Sequence, residues 1–352
     1  MNETNISARR WMMREARHVA LEDWDFDNTP LAPREILVRA EWTAVSPGTE
    51  CANFLALDPD VYRASGWCKY PWMPGYAGVG HVLAKGDDVG EYQLGDRVVG
   101  LLPHATHFRL SADWLVIPAA ENIESQHLAY TRIISIAMNA LEVLRADPLA
   151  TAGVWGLGGV GNLIAQLLRA SGFHVVGIDP VAERRALAEK CGIETTLDPG
   201  AKDFSDALKF LAPDDLGVVV DTTGQANVTM SLPQHLSLNG QMVLMTHWRS
   251  QPPVDATEFM SHIFRKGATL QGALDGSIGG GLTGSDAGTD WAARQRVKFR
   301  RIGQALAQGQ INVAPLISHT VVPQQCREVY EGLCFDREHW WGVVVDWRDK
   351  ED

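Results

Sequence analysis

The sequence predicts a two-domain α/β protein, in which a small all-β barrel is joined to a doubly wound parallel sheet flanked by helices. Three observations predict it. The chain has 352 residues, too many for one ordinary core. Its first third carries short alternating stretches punctuated by Gly and Pro, while its middle alternates apolar runs with amphipathic segments. A glycine-rich turn links one of those apolar runs to the segment that follows it.

The barrel is expected over residues 1–131. Ile36, Val38, Ala40, Trp42 and Ala44 fall on one side of a period-two strand, and turn signals follow at Ser46-Pro47-Gly48, Gly86-Asp87-Asp88 and Gly95-Asp96. The doubly wound domain is expected over 132–274. Strands are predicted at 152–155, 174–178, 216–220, 241–245 and 269–273. Helices are predicted at 162–170, with Leu163, Ile164, Leu167 and Leu168 inward, and at 182–190, with Pro180 in the first turn. Apolar runs without alternation mark strands buried on both faces, as in a parallel sheet covered by helices. Residues 275–352 hold a Gly-rich loop over 275–288, a helix over 291–307 and strands at 316–322 and 341–346 that return to the first domain.

Composition narrows the function. With 45% hydrophobic and 21% charged residues the chain reads as a soluble globular protein. A formal charge of −12 disfavours nucleic acid as a partner, because that affinity rests on cations neutralising phosphates. Cys51, Cys68, Cys191, Cys326 and Cys334 are scattered and form no CxxC pair, which favours a reducing compartment. Residues 1–20 contain no apolar core of a signal peptide, and no run approaches the roughly 18 residues of a membrane span. A cytoplasmic location with no membrane partner is expected, and the sequons at Asn2, Asn5 and Asn227 read as incidental.

Gly156-Leu157-Gly158-Gly159-Val160-Gly161 follows a strand and opens a helix. Gly156 permits a tight turn, Gly158 lets the backbone approach a pyrophosphate, and Gly161 lets the helix pack closely on the strand. The helix N-terminus then offers free N–H groups to the phosphates. Asp179, eighteen residues beyond Gly161, ends the next strand, where its carboxylate can hydrogen-bond the adenosine ribose. A carboxylate there repels a 2′-phosphate, so NAD is expected over NADP; Arg184 and Arg185 lie close enough to keep NADP as the alternative. Gly224, after Asp221-Thr222-Thr223, could let the chain pass close to the adenosine.

Pro74-Gly75-Tyr76-Ala77-Gly78-Val79-Gly80, Gly95-Asp96-Arg97-Val98, the glycine loop and Asp179 together resemble the medium-chain dehydrogenase/reductase family over nearly the whole chain. The resemblance implies a GroES-like catalytic domain, a Rossmann cofactor domain and a homodimer, with the strand over 269–273 joining the two Rossmann sheets. Zinc-dependent relatives carry Cys-Gly-Thr-Asp where this chain has Ser46-Pro47-Gly48-Thr49-Glu50, and His-Glu where it has Tyr76-Ala77. A third ligand would fall near Thr131, and the cysteine-rich lobe is missing. Catalytic zinc needs about three such ligands, so no metal is expected. The Ser-Pro-Gly-Thr-Glu and Pro-Gly-Tyr segments resemble a branch containing sugar or polyol and bacteriochlorophyllide dehydrogenases.

Hydride transfer is the cofactor's chemistry, and the protein handles proton and charge. If the family geometry holds, Tyr76 replaces a zinc ligand and becomes a proton donor or oxyanion partner. Glu50 is expected as an orienting carboxylate paired to an arginine, with a catalytic base as the alternative role, and Thr49 lies near the same cleft. The resemblance brings the Ser135 hydroxyl to the nicotinamide. His104 and His107 form an unusual cluster suited to a proton relay or substrate contact; a shared role needs a turn, since strand residues three apart face opposite ways. His247 and Trp248 follow one strand of the parallel sheet and Leu274 and Asp275 end the next, at the edge where such sheets bind ligands. Trp67, Tyr70 and Trp72 could line the pocket for a small-molecule substrate. The reading is a zinc-independent NAD-linked dehydrogenase of a secondary alcohol. Its alternatives are an NAD(P)H-dependent quinone or enone reductase, and a non-catalytic dinucleotide-binding protein.

Overall fold

The structure, a computed structural model, describes residues 6–246, 248, 252–274 and 287–348. The chain divides into two compact units: Met1–Ile133 with Gly281–Ala307 and Ile317–Asp352, and Ile134–Gly280 with Gln308–Leu316. In chain order the first stretch contains β1 (Ala8–Glu15), β2 (His18–Trp24), β3 (Glu35–Ala44), α1 (Pro47–Phe54), β4 (Gly78–Lys85), β5 (Arg97–Gly100), β6 (His107–Ser111), β7 (Val116–Pro118) and α2 (Ser125–Leu128). Helix α3 (Thr131–Glu142) carries the chain onward to β8 (Thr151–Trp155), α4 (Gly159–Ala170), β9 (His174–Ile178), α5 (Ala182–Lys190), β10 (Thr196–Leu197) and α6 (Phe204–Leu211). Then come β11 (Leu216–Asp221), α7 (Ala226–Ser231), β12 (Leu236–Leu244), α8 (Thr257–Lys266) and β13 (Thr269–Gly272). The chain closes with α9 (Ala287–Ala307), β14 (His319–Val321), α10 (Cys326–Phe335) and β15 (Val343–Asp346).

The first unit is GroES-like. Its main sheet runs β14-β15-β3-β4-β5-β7, with β6 also paired to β3, and β1 and β2 form a separate hairpin. Strand β3 shows why: Ile36, Val38, Ala40 and Trp42 are buried while Glu35, Leu37, Arg39 and Glu41 are half-buried, as period-two alternation requires. Register shifts between Leu37 and Val38 and between Ala40 and Trp42 mark bulges, which bend such strands. Trp11, Met13, Ile36, Val38, Val82, Phe108, Tyr330 and Val345 fill one continuous core.

The second unit is a Rossmann sheet of six parallel strands, ordered β10-β9-β8-β11-β12-β13. The order reverses between β8 and β11, the switch point at which such sheets bind ligands beyond the carboxyl ends of their strands. Val154 and Val218 to Val220 are fully buried, so the apolar runs do mark strands covered on both faces.

Local differences from expectation have simple causes. Helix α4 begins at Gly159, because the loop's last glycine belongs to the first turn. Pro180 lies before the N-cap Val181 of α5, outside the helix. The expected strand over 316–322 shortens to β14, since Ala314–Leu316 turn as 3-10 helix. Of the expected 275–288 loop, 275–286 lie outside the described residues. Among the described residues no helix is long and apolar enough to cross a membrane.

Candidate active site

In the second unit, the turn after β8 is glycine for two different reasons. Gly156 has φ +89°, and a Cβ there would sit 2.6 Å from Thr222 Oγ1. A Cβ on Gly161 would meet the Gly156 carbonyl oxygen at 1.8 Å. Those two are fixed by the protein's own packing. At Gly158 and Gly159 a Cβ would meet nothing within 4 Å, so the space beyond them is open. Gly158 is the N-cap of α4, and the first helical hydrogen bond runs from Asn162 N to its carbonyl at 2.8 Å. The amides of Gly159, Val160 and Gly161 therefore precede the helical ladder, beside open space. That fits a diphosphate.

Asp179 is almost fully buried and ties this loop together. Its Oδ2 accepts from Leu157 N at 2.7 Å and its Oδ1 from Val181 N at 2.9 Å, while Arg184 Nη1 stands 3.6 Å from Oδ2. Each carboxylate oxygen keeps further acceptor capacity for a ribose hydroxyl. Arg185 donates to the Asp179 carbonyl at 2.7 Å, which holds α5 against the strand end. Gly224 follows β11 with φ +64°. Trp248 donates from Nε1 to Thr229 Oγ1 at 3.0 Å, and that hydroxyl in turn donates to Asp221. Ser135 is fully buried on α3, and Leu274 is exposed. His247 and Asp275 lie outside the described residues.

The first unit assembles a second constellation from distant segments. Glu50, on α1, is completely buried. Its Oε1 accepts from Ser46 N at 2.7 Å, and its Oε2 accepts from Tyr330 OH at 2.6 Å and faces His104 Nε2 at 3.0 Å. Glu50 is thus paired with a histidine and a tyrosine, not with the arginine expected from sequence. His104 Nδ1 lies 2.7 Å from Thr43 Oγ1, which also accepts from Trp347 Nε1 at 2.8 Å. Trp347 can only donate, so Thr43 Oγ1 accepts from it; a Thr43 hydroxyl hydrogen directed at Nδ1 would leave Nε2–H for Glu50.

Gly75 lets the chain pass this cluster: φ is +93°, and a Cβ would stand 2.5 Å from His104 N. Tyr76 follows immediately, half-buried, with the side chains of Ser46 and Thr49 close enough to act on its hydroxyl. Burial and the charge of Glu50 raise its pKa, opposed by the Ser46 and Thr49 side chains and by Arg132. Arg132 is itself buried, with its guanidinium 5.7 Å from the Trp291 ring.

The two histidines part company. His104 lies before β6 and points into the cluster, whereas His107 is half-buried, bonded to Thr106 Oγ1 at 3.0 Å with its ring 6.0 Å from Phe26. Trp72 packs edge-on against Trp67 at 5.7 Å and hydrogen-bonds Met13 through its backbone, and Tyr70 donates to the Asn53 carbonyl. Sequence reading missed Tyr330, Thr43, Trp347 and Arg132. Only Arg132 had a local signal, as the neighbour of Thr131.

Zinc does not fit the groups around Tyr76. They are hydroxyls, and both oxygens of the sole carboxylate are engaged by protein donors. Among the described residues, no group of three His, Cys, Asp or Glu side chains could hold a metal ion.

Comparison with known proteins agrees on the class. The family described as zinc-binding dehydrogenase matches residues 159–281. D-guloside 3-dehydrogenase of Shigella flexneri is 24% identical over 236 residues, 61% of this chain and 67% of that protein. The 2-desacetyl-2-hydroxyethyl bacteriochlorophyllide A dehydrogenase of Cereibacter sphaeroides is 26% identical over 331 residues, 90% of this chain and 92% of that protein. In fold, the chain is similar to an alcohol dehydrogenase of Escherichia coli complexed with cofactor NADH. The TM-score is 0.78 at 16% identity, covering 97% of this chain and 100% of the other. A glycine cradle on a doubly wound sheet, together with a GroES-like unit, defines an oxidoreductase that uses a nicotinamide dinucleotide. In this match, in these relatives and in its fold the chain is similar to the medium-chain dehydrogenase/reductase superfamily.

Proposed function

We propose that the chain is a zinc-independent, NAD-linked dehydrogenase that interconverts a secondary alcohol, polyol- or sugar-like or hydroxyalkyl, with its ketone. The observation that carries this reading is the Tyr76 hydroxyl, set among Ser46 and Thr49 where zinc-dependent relatives place their ligands. When bound, the nicotinamide supplies or accepts the hydride. The chain's own task is then the oxygen, on which charge develops as hydride moves. Tyr76 donates to that oxygen, and Ser46 and Thr49 orient its hydroxyl. Glu50 is a positioning residue: it pins Ser46 N at the start of α1 and is itself held by His104 and Tyr330.

For the cofactor, Gly156, Leu157, Gly158, Gly159, Val160 and Gly161 would hold the diphosphate and Asp179 the ribose. Ser135, Gly224, His247 and Leu274 are assigned to its remaining surface. Thr49, Trp72 and Trp248 are assigned to the substrate. His107 has its own partners and is assigned no proton.

The test is turnover by the purified full chain with NAD⁺ and NADP⁺ across secondary alcohols and ketones, beside a metal analysis of the same preparation. NAD-linked turnover with zinc far below one per chain is expected. Stoichiometric zinc whose removal abolishes turnover would overturn the reading. Turnover confined to quinones or enones with NADPH would favour the reductase alternative, which Arg184 beside Asp179 supports.

A further inference from the structure

Helix α9 buries polar groups where its packing alone would ask for apolar ones. Trp291, Ala292, Gln295, Lys298, Phe299 and Ile302 are buried at spacings of three and four, which makes them one helical face. Ala292 and Phe299 form one edge of that face. Trp291, Gln295 and Lys298 form the other, and bring an indole N–H, an amide and an ammonium into the interior. Arg132, in the first turn of α3, meets this edge: it is buried, and its guanidinium lies 5.7 Å from the centre of the Trp291 ring. Trp291 is held in place, because its ring packs against that of Trp114 at 5.6 Å while Arg296, on the next turn, donates to the carbonyls of Asp113 and Trp114. Among the described residues, Trp291 Nε1 and Thr131 Oγ1 are buried side-chain atoms without a hydrogen-bond partner. An indole nitrogen can only donate, and a buried donor without an acceptor is costly, so this one calls for an acceptor from outside the chain. The guanidinium beside it favours an acceptor that carries negative charge. Arg132 also ties the edge to the Tyr76 hydroxyl, whose pKa its charge draws down against burial and Glu50. All these residues, Tyr76 included, belong to the first unit.

We propose that Trp291 Nε1, Thr131 Oγ1 and the Arg132 guanidinium form an anion-binding subsite, and that the substrate is a secondary alcohol bearing a carboxylate or a phosphate. The planar guanidinium suits either group, since both present paired oxygens to its fork. Lys298, buried on the same edge, adds to the positive charge. The anion anchors one end of the substrate, and Tyr76 receives the alcohol oxygen at the other. Naming the substrate rests on the proposed function; the subsite itself does not. A bridging water would satisfy the same donors, and it would leave the chain indifferent to the charge of its ligand.

The experiment has a binding arm and a turnover arm, both on the full chain. Inorganic phosphate and acetate are titrated by calorimetry at fixed ionic strength into wild type and into Trp291→Phe, which keeps a ring and removes the N–H. Wild type should bind at least one of the two anions, and Trp291→Phe should bind it about tenfold more weakly. The glycine turn of the second unit is the same in both proteins, so the difference reads this subsite alone. No heat with either anion, or equal affinity in the two proteins, overturns the proposal. In the turnover arm D-glucitol, its terminal phosphate monoester and D-gluconate are compared with NAD⁺. kcat/KM for the phosphate or the carboxylate should exceed that for the neutral polyol by about ten- to a hundredfold, and the better anion tells which oxyanion the subsite takes. Arg132→Gln should abolish that preference; if it fails to fold, loss of the preference in Trp291→Phe decides. A neutral polyol turned over as well as both anions overturns the proposal and leaves the proposed function standing. Anion binding that weakens in Trp291→Phe, in a chain that turns over no alcohol, upholds the subsite and counts against the proposed function alone.

Discussion

A tyrosine among hydroxyls asks for a different experiment from a metal site. Tyr76 has its pKa raised, first by burial and then by Glu50, so the hydroxyl keeps its proton up to and beyond the ordinary tyrosine value of about 10. The donating form exists below the raised pKa and is lost as pH rises through it. Ketone reduction should therefore hold steady in kcat across neutral pH and fall only in the alkaline range, as a pH–rate profile will show. Tyr76→Phe keeps the ring and removes the donor; kcat should drop by about 10² to 10⁴, the usual worth of a positioned acid, with a smaller change in KM. An unchanged kcat would reduce Tyr76 to a space-filler. Glu50 predicts a stability effect instead. Glu50→Ala strands His104 Nε2 and Tyr330 OH without an acceptor in a dry cluster, and urea unfolding should show a loss on the order of 3 kcal/mol. Glu50→Gln, which keeps one acceptor oxygen, should recover part of it. Equal stability for Glu50→Ala and wild type would contradict the hydrogen-bond network described.

The turn between β8 and α4 was legible in the sequence because its chemistry is local. A strand, three spaced glycines, a helix and a downstream acid are read along the chain, and their geometry follows from steric limits on each residue. The Glu50 cluster was not legible. His104 lies 54 residues from Glu50 and Tyr330 lies 280 away, and no spacing rule links them. The expectation of an arginine partner failed there because the fold brings a histidine and a tyrosine from distant segments to the carboxylate instead. The turn also separates two kinds of glycine, and the pair Gly158 and Gly161 tests the distinction. Gly158→Ala places its methyl in open space, so melting should be unchanged while dinucleotide affinity measured by calorimetry weakens. Gly161→Ala drives a methyl into the Gly156 carbonyl, so melting temperature and affinity should fall together. If Gly158→Ala binds the cofactor as tightly as wild type, the diphosphate does not rest where this turn opens.

At the scale of the molecule, two compact units and a parallel sheet in the second were foreseeable from texture: alternation in one region and apolar runs in another. What texture could not foretell is how unevenly the second unit ends. At one side β10 is a two-residue strand, a short edge of the kind that resists further pairing. At the other, β13 offers four consecutive exposed residues at the sheet edge, and the adjacent α8 exposes Met260 at 58% and Phe264 at 87%. An exposed edge strand flanked by large apolar side chains is a liability in a lone protomer and an asset in a pair. Two copies meeting β13 to β13 across a two-fold axis would pair both edges and cover both patches by the same contact. Sedimentation at micromolar concentration should therefore give a dimer. Leu270→Glu places a carboxylate at the strand that each copy brings to the axis, where like charges meet. Because Leu270 is 43% exposed in the protomer, the substitution should leave melting of the monomer nearly unchanged while shifting the species to half the mass. A wild-type chain that sediments as a monomer, or a Leu270→Glu variant that stays dimeric, would move the contact away from this edge.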